Sequence, residues 1–158
     1  MIGNHFCWKE IIMQLKLTTE YAIRIALYLA EQNGVCTSKE IAEYTQISPN
    51  YVLKILRVLA KASLVQNHIG VYGGFSLCKH PRDITLLDIV SSTESKIKIS
   101  YCLEQNTEES KEGYQTVRSM YNFYHDLQDE IEERFSHKTL EQLLNEGLLY
   151  WKIWYYLS

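Results

Sequence analysis

The stretch that most constrains this chain is residues 48–77, "SPNYVLKILRVLAKASLVQNHIGVYGGFSL". Ser48 followed by Pro49 is a favoured helix start, with serine at the cap and proline at the first helical position. At about 100° per residue, Asn50, Lys54, Arg57 and Lys61 fall within about 60° of one another. Val52, Ile55, Leu56 and Leu59 lie on the opposite side. One face of this helix suits a core. The other is a basic and amide stripe that carries no acid. Taken alone, such a stripe is either a solvated face or a surface that meets phosphates and base edges. The next residues favour the second reading. "SLVQNHI" and "FSLCK" are strand-like and flank the turn "GVYGG". A hairpin directly behind such a helix is a wing, and Gly70, Gly73 and Gly74 allow left-handed backbone and close approach to another surface.

The preceding residues complete the motif. From Thr18 to Asn33, Ala22, Ile23, Ala26, Leu29 and Ala30 recur at three and four, which predicts an amphipathic helix. Thr18 or Thr19 is expected to cap it, and Asn33-Gly34 to end it. Thr37 with Glu40 three residues on is a capping box for a short helix ending near Thr45, with Ile41 and Ala42 buried. Two short helices joined by about three residues form a helix-turn-helix.

Downstream, Thr85 caps a helix that buries Leu86, Leu87, Ile89 and Val90. A polar loop spans 95–113. From Tyr114 to Phe135 an apolar stripe of Val117, Met120, Tyr121, Tyr124, Leu127, Ile131 and Phe135 predicts a long helix. A stripe of this length buries itself against a partner helix, so a homodimer is preferred to packing within one chain. "TLEQLL" is a short capped helix. The aromatic tail "LLYWKIWYY" is about half a membrane span and is expected to cover the dimer or an apolar groove, with a peripheral membrane contact as the lesser alternative. The fold expected is mainly α with a small β-hairpin wing. Its parts are an N-terminal extension (1–13), a winged helix-turn-helix domain (14–94), the polar loop (95–113), and a dimerisation helix with the aromatic tail (114–158).

Charge supports this division. The net charge is −3. Residues 14–90 hold eight Lys/Arg against six Asp/Glu, whereas residues 91–158 hold seven against twelve. The cationic surplus therefore accompanies the helix-turn-helix. No apolar run reaches a membrane span and none forms a signal-peptide core, so a cytoplasmic protein is expected, without membrane partners. The four cysteines, Cys7, Cys36, Cys78 and Cys102, are far apart. None forms the CxxC pair of a zinc site, and free thiols are expected. Enzyme motifs are missing: there is no nucleophile elbow, P-loop or metal-binding histidine pair, and His125 and His137 stand twelve apart.

At this point the chain resembles the Rrf-two family of bacterial winged-helix regulators, which includes an iron–sulfur regulator, a nitric oxide sensor and a cysteine-metabolism repressor. The residues that carry the resemblance are "MQLKLTTEYAIRIALYLA", "SKEIAEYTQISPNYVLKILRVLAKASLV", "GVYGGFSL", "ITLLDIV", a long helix, and "KTLEQLL". It covers Met13 to about Leu144. The resemblance implies a homodimer with crossed long helices, each recognition helix entering a major groove of a palindromic site on double-stranded DNA. It implies a transcriptional regulator, more a repressor than an activator. The DNA-binding candidates are Ser48, Asn50, Tyr51, Lys54, Arg57, Lys61, His68, Tyr72 and Gly73. Tyr21 and Arg24 either touch the DNA backbone or support the fold.

Two departures from the family pattern matter. The family's wing carries an arginine before its first glycine, suited to a narrow minor groove; here that position is Ile69, preceded by His68. Cluster-binding members place three cysteines in the loop before the long helix; here only Cys102 lies there. A cluster needs about four protein ligands, so neither an iron–sulfur cluster nor another cofactor is expected. Cys36 and Cys102 are candidate redox thiols. Cys36 precedes a helix N-terminus, which lowers a thiol pKa, and a cysteine lies at a similar place in the cysteine-metabolism branch. Cys78 is expected to be structural. The alternative function is a winged-helix dimer acting mainly through a protein partner, or a thiol or small-molecule signal, with weak DNA contact.

Overall fold

The computed structural model describes residues 15–94 and 115–147. The N-terminal extension, the polar loop and the aromatic tail lie outside them, as does Cys102. The order is α1 (Leu17–Gln32), α2 (Ser38–Thr45), α3 (Pro49–Lys61), β1 (Val65–His68), β2 (Gly74–Leu77), a 3₁₀ turn at Pro81–Asp83, α4 (Leu86–Thr93) and α5 (Gln115–His137). Residues 140–147 form a last helix, α6. The fold is mainly helical with one antiparallel hairpin, as expected.

Helix α1 begins one residue earlier than the periodicity predicts, and neither threonine caps it. The cap position is Lys16 and no side chain caps it locally. The Glu94 carboxylate, from the end of α4, accepts instead from the Lys16 amide at 3.0 Å and from the Thr19 hydroxyl at 2.5 Å. Thr19 is fully buried and faces Thr93 as well. A carboxylate brought from a distant element thus serves the free donors and the positive end of the helix dipole. The C-terminus follows expectation: Asn33 is left-handed, with φ 48°, and its amide returns to the Leu29 carbonyl.

The two capping boxes in this region are formed. Thr37 accepts from the Glu40 amide while Glu40 accepts from the Thr37 amide, and Thr85 and Asp88 do the same at α4. Between α2 and α3, Gln46 takes φ 57°, and Ile47 turns inward and is buried. This sharp reversal sets α3 across α2. At α3, Pro49 occupies the first turn as predicted, but the Ser48 side chain makes no cap bond.

The core is built where the helical stripes converge. Ile25 and Leu29 of α1, Ile41 of α2, Val52, Ile55, Leu56 and Leu59 of α3, and Ile89 of α4 are buried together. Each such side chain contributes about 1.5–3 kcal/mol on burial. Leu86 and Leu87 are only half-buried, unlike Ile89 and Val90. The wing is joined to this core by an element that periodicity does not show. Cys36 forms a bridge with Phe75, its amide donating to the Phe75 carbonyl at 2.9 Å and its carbonyl accepting from the Phe75 amide at 2.8 Å. Cys36, two residues before α2, therefore acts as a third, one-residue strand beside β2.

The chain also returns to this core after α5. The Leu86 amide donates to the Lys138 carbonyl, the Leu140 amide donates to the Ile84 carbonyl, and Thr85 bridges Thr139. Leu140 is fully buried in the same core, and Leu144 packs on it. Thr139 and Gln142 close a further reciprocal cap.

Candidate nucleic-acid interface

Helix α3 is tied to the core along one side by Val52, Ile55, Leu56 and Leu59, all with no exposed surface. That anchoring turns Asn50, Lys54, Arg57 and Lys61 outward, and all four are exposed. Among the described residues none of the three cations has a carboxylate within ion-pair distance. The stripe predicted from the sequence is therefore a continuous surface of unneutralised positive charge. Ser48 is exposed beside its leading end.

Tyr51 differs from the other stripe residues. It is half-buried, and its hydroxyl lies 2.9 Å from the Thr18 hydroxyl. Its ring meets Tyr21 edge-on at 5.7 Å, and the Lys54 ammonium sits 5.3 Å above it. On the other side the Arg24 guanidinium lies 5.7 Å from the Tyr21 ring. Two tyrosines thus stand between two cations and hold them in place. Tyr51 joins α3 to α1 and positions Lys54. Thr18 was not legible as part of this surface, because its partner is 33 residues away and no local pattern marks the pair.

The wing is a short ladder in which Val65 pairs with Leu77, Gln66 with Ser76, Asn67 with Phe75 and His68 with Gly74. Gly70 has φ 120°. Gly73 donates to the Gly70 carbonyl at 3.0 Å and has no room for a side chain, since a Cβ there would stand 2.5 Å from the His68 carbonyl. Around these glycines the tip presents Ile69, Val71 and Tyr72, each at least 94% exposed. His68 does not extend to the tip. Its Nε2 lies 2.8 Å from the Ser76 hydroxyl across the hairpin, so the ring is held on the sheet.

The two described thiols lie in different surroundings. Cys36 is buried, and burial pushes its pKa up, with the nearby Glu40 carboxylate adding to the effect. The helix N-terminus that would stabilise a thiolate is already occupied by the Glu40 carboxylate of the capping box. Cys36 is therefore a packed thiol under the wing. Cys78 is exposed, one residue beyond β2, and its amide donates to the Leu64 carbonyl at 3.0 Å. Among the described residues no group of three or more His, Cys, Asp or Glu is gathered to hold a metal.

A family model described as "Iron-dependent Transcriptional regulator", that of the Rrf2 family, matches residues 15–146. The chain belongs to the Rrf2 family. Among relatives of this Rrf2 protein, the HTH-type transcriptional regulator NsrR of Shouchella clausii is 33% identical over 97 residues, which cover 60% of this chain and 65% of the relative. NsrR of Bacillus subtilis is 33% identical over 96 residues, 60% of this chain and 66% of the relative. Each match spans just under two thirds of the relative. Of solved structures, T. potens IscR superposes with a TM-score of 0.66 at 25% identity, over 85% of this chain and 88% of that one. CymR (YrzC), the global cysteine regulator of B. subtilis, does so with a TM-score of 0.66 at 27% identity, over 85% and 98%. These Rrf2 likenesses confirm the winged-helix architecture. Among the described residues no helix is long and apolar enough to cross a membrane.

Proposed function

We propose that this Rrf2 protein is a homodimeric, sequence-specific DNA-binding transcriptional regulator that acts as a repressor at a palindromic operator. The observation that carries the reading is the unneutralised stripe of Asn50, Lys54, Arg57 and Lys61 on a helix whose other face is locked into the core. The N-terminal end of α3, with Ser48, Asn50 and Lys54, meets base edges and the first phosphates in the major groove. Arg57 and Lys61 serve phosphates further along. Arg24, held against Tyr21, extends the phosphate contacts onto α1. The wing follows with Tyr72 and the Gly70–Gly73 turn at the DNA surface.

Dimerisation supplies the second half-site. On α5, Met120 is 47% and Phe123 62% exposed in the single chain, and Tyr121, Tyr124, Leu127, Ile131 and Phe135 are only half-buried. A second copy of the same helix is the occupant that suits this stripe. The regulator works without an iron–sulfur cluster, a reading supported by the lack of any cysteine between Leu103 and Val117.

The test is a titration of operator DNA at two salt concentrations. Each phosphate neutralised adds about 0.9 to the slope of log K against log salt. Replacing Lys54 and Arg57 together by Ala is expected to weaken binding and flatten that slope. An unchanged slope rejects the assignment of this face. Anaerobic purification with an absorption spectrum tests the cofactor reading, and an intense visible iron–sulfur band overturns it.

A further inference from the structure

A groove of about 390 Å³ opens on the C-terminal side of the winged unit. Its apolar wall is made by Leu27 and Tyr28 of α1, Tyr44 of α2, and Leu143 and Leu144 of α6. The Tyr28 and Tyr44 rings stack at 4.5 Å and are tilted by 36°. Tyr44 is 61% exposed although its ring is apolar, and its hydroxyl donates to Glu31 at 3.0 Å. Arg24 and Glu31 stand at the rim. The size is at the lower end of the range that holds a compact organic group.

Gly147 also lines this groove, and it is the last described residue. Eleven residues follow, "LLYWKIWYYLS". Nine of them are apolar or aromatic, and their single charge is Lys152. An aromatic segment of this kind has a strong drive to leave water, and it starts where the groove begins. Trp151 is four residues beyond Gly147, a reach of up to about 13 Å of extended chain. The rim offers a carboxylate, Glu31, to the one cation of the segment.

We propose that residues 148–158 dock into this groove of their own chain, with Trp151 among Tyr28, Tyr44 and Leu143 and with Lys152 facing Glu31. The docked tail braces α1, α2 and α6 against one another behind the helix-turn-helix. This inference does not depend on the DNA-binding reading, and its test involves no DNA.

The experiment uses the full chain with Trp8→Phe, so that indole emission reports only Trp151 and Trp154. The expected result is blue-shifted emission shielded from acrylamide, unchanged when the protein is diluted from dimer to monomer. Leu143→Glu and, separately, Tyr44→Ala are expected to shift the emission red and increase quenching, with the helicity of the winged unit retained. Tyr44 projects from the surface, so its truncation carries the test even where Leu143→Glu impairs folding. Glu31→Lys is expected to loosen the tail, and adding Lys152→Glu to restore shielding. Three results overturn the proposal. One is indoles equally quenched in every variant. Another is shielding that vanishes on dilution while the groove variants are silent, which assigns the tail to the contact between copies. The third is shielding that appears only with anionic lipid vesicles, which assigns it to a membrane surface.

Discussion

At the scale of single residues, the structure is controlled by two positions where backbone and side chain have no spare room. Gly74 is the sharper case. A Cβ on it would stand 2.5 Å from the Cys36 carbonyl oxygen and 2.8 Å from its carbon, both backbone atoms that cannot swing aside. Gly74→Ala therefore pushes β2 off the Cys36–Phe75 bridge and is expected to cost about 2 kcal/mol, read from urea or thermal unfolding; a variant as stable as the parent rejects this account of the wing's attachment. Cys36 is the second. Its thiol is buried and its pKa is raised by that burial and by Glu40. The thiolate is the reactive form, so its reaction rate is low at neutral pH and rises only as the pH climbs towards the elevated pKa. Labelling with iodoacetamide followed by peptide mass spectrometry is expected to modify exposed Cys78 well before Cys36. Faster labelling of Cys36 would reinstate it as a redox switch.

At the scale of elements, the most consequential contact is the return of the chain to the winged unit. Residues 138–140 add their backbone to the strand-like segment 84–86, and Leu140 enters the core with no exposed surface. Leu140→Ala is thus a core truncation, expected to cost about 2–5 kcal/mol in unfolding of the winged unit, although it lies some 60 residues from the nearest wing strand in sequence. A loss below about 0.5 kcal/mol, the range of surface changes, would mean that α6 is not part of that core. What could be read from the sequence and what could not divides along the same line. Helices α2, α3 and α4 and both threonine capping boxes follow from contacts within four residues, and the wing strands pair across a short glycine turn, at most twelve positions apart, so local patterning shows them. The exposed stripe on α3 was legible for the same reason, since helical spacing alone sorts Lys54 from Ile55. The Glu94 cap on α1, the Tyr51–Thr18 pair and the Cys36 bridge link residues 33 to 78 positions apart. Each involves common residue types with no local signature, so Thr18 and Thr19 read as ordinary caps and Cys36 as a loop thiol. The aromatic tether of Lys54 was hidden likewise: Tyr51 lies about 60° beyond Lys54 on the helix, and its partners Tyr21 and Thr18 come from α1.

At the scale of the whole molecule, the charge is divided so that the acidic residues of α5 and beyond lie apart in sequence from the basic stripe, and the proposed dimer through α5 would set two such stripes for two half-sites. The wing decides how much of the binding is electrostatic. Its tip presents Ile69, Val71 and Tyr72 to solvent with no cation among them, and His68 is held on Ser76. A tip of this composition neutralises no phosphate, and in a minor groove it makes apolar contact rather than the guanidinium contact that a narrow groove favours. Among the described residues of the proposed interface, the salt dependence of operator binding should then come from α3 and Arg24. Ile69→Arg adds one cation per protomer at a position that is 96% exposed, so the fold has no reason to change. If the wing meets DNA, a dimer carrying this substitution binds more tightly at low salt, and its log K against log salt steepens by up to about 1.8, two phosphates at about 0.9 each. Tyr72→Ala on the same wing is expected to weaken binding without altering the slope, because it removes apolar contact and no charge. If both variants leave affinity and slope as they were, the wing stands clear of the DNA, and its exposed apolar tip belongs to a protein partner.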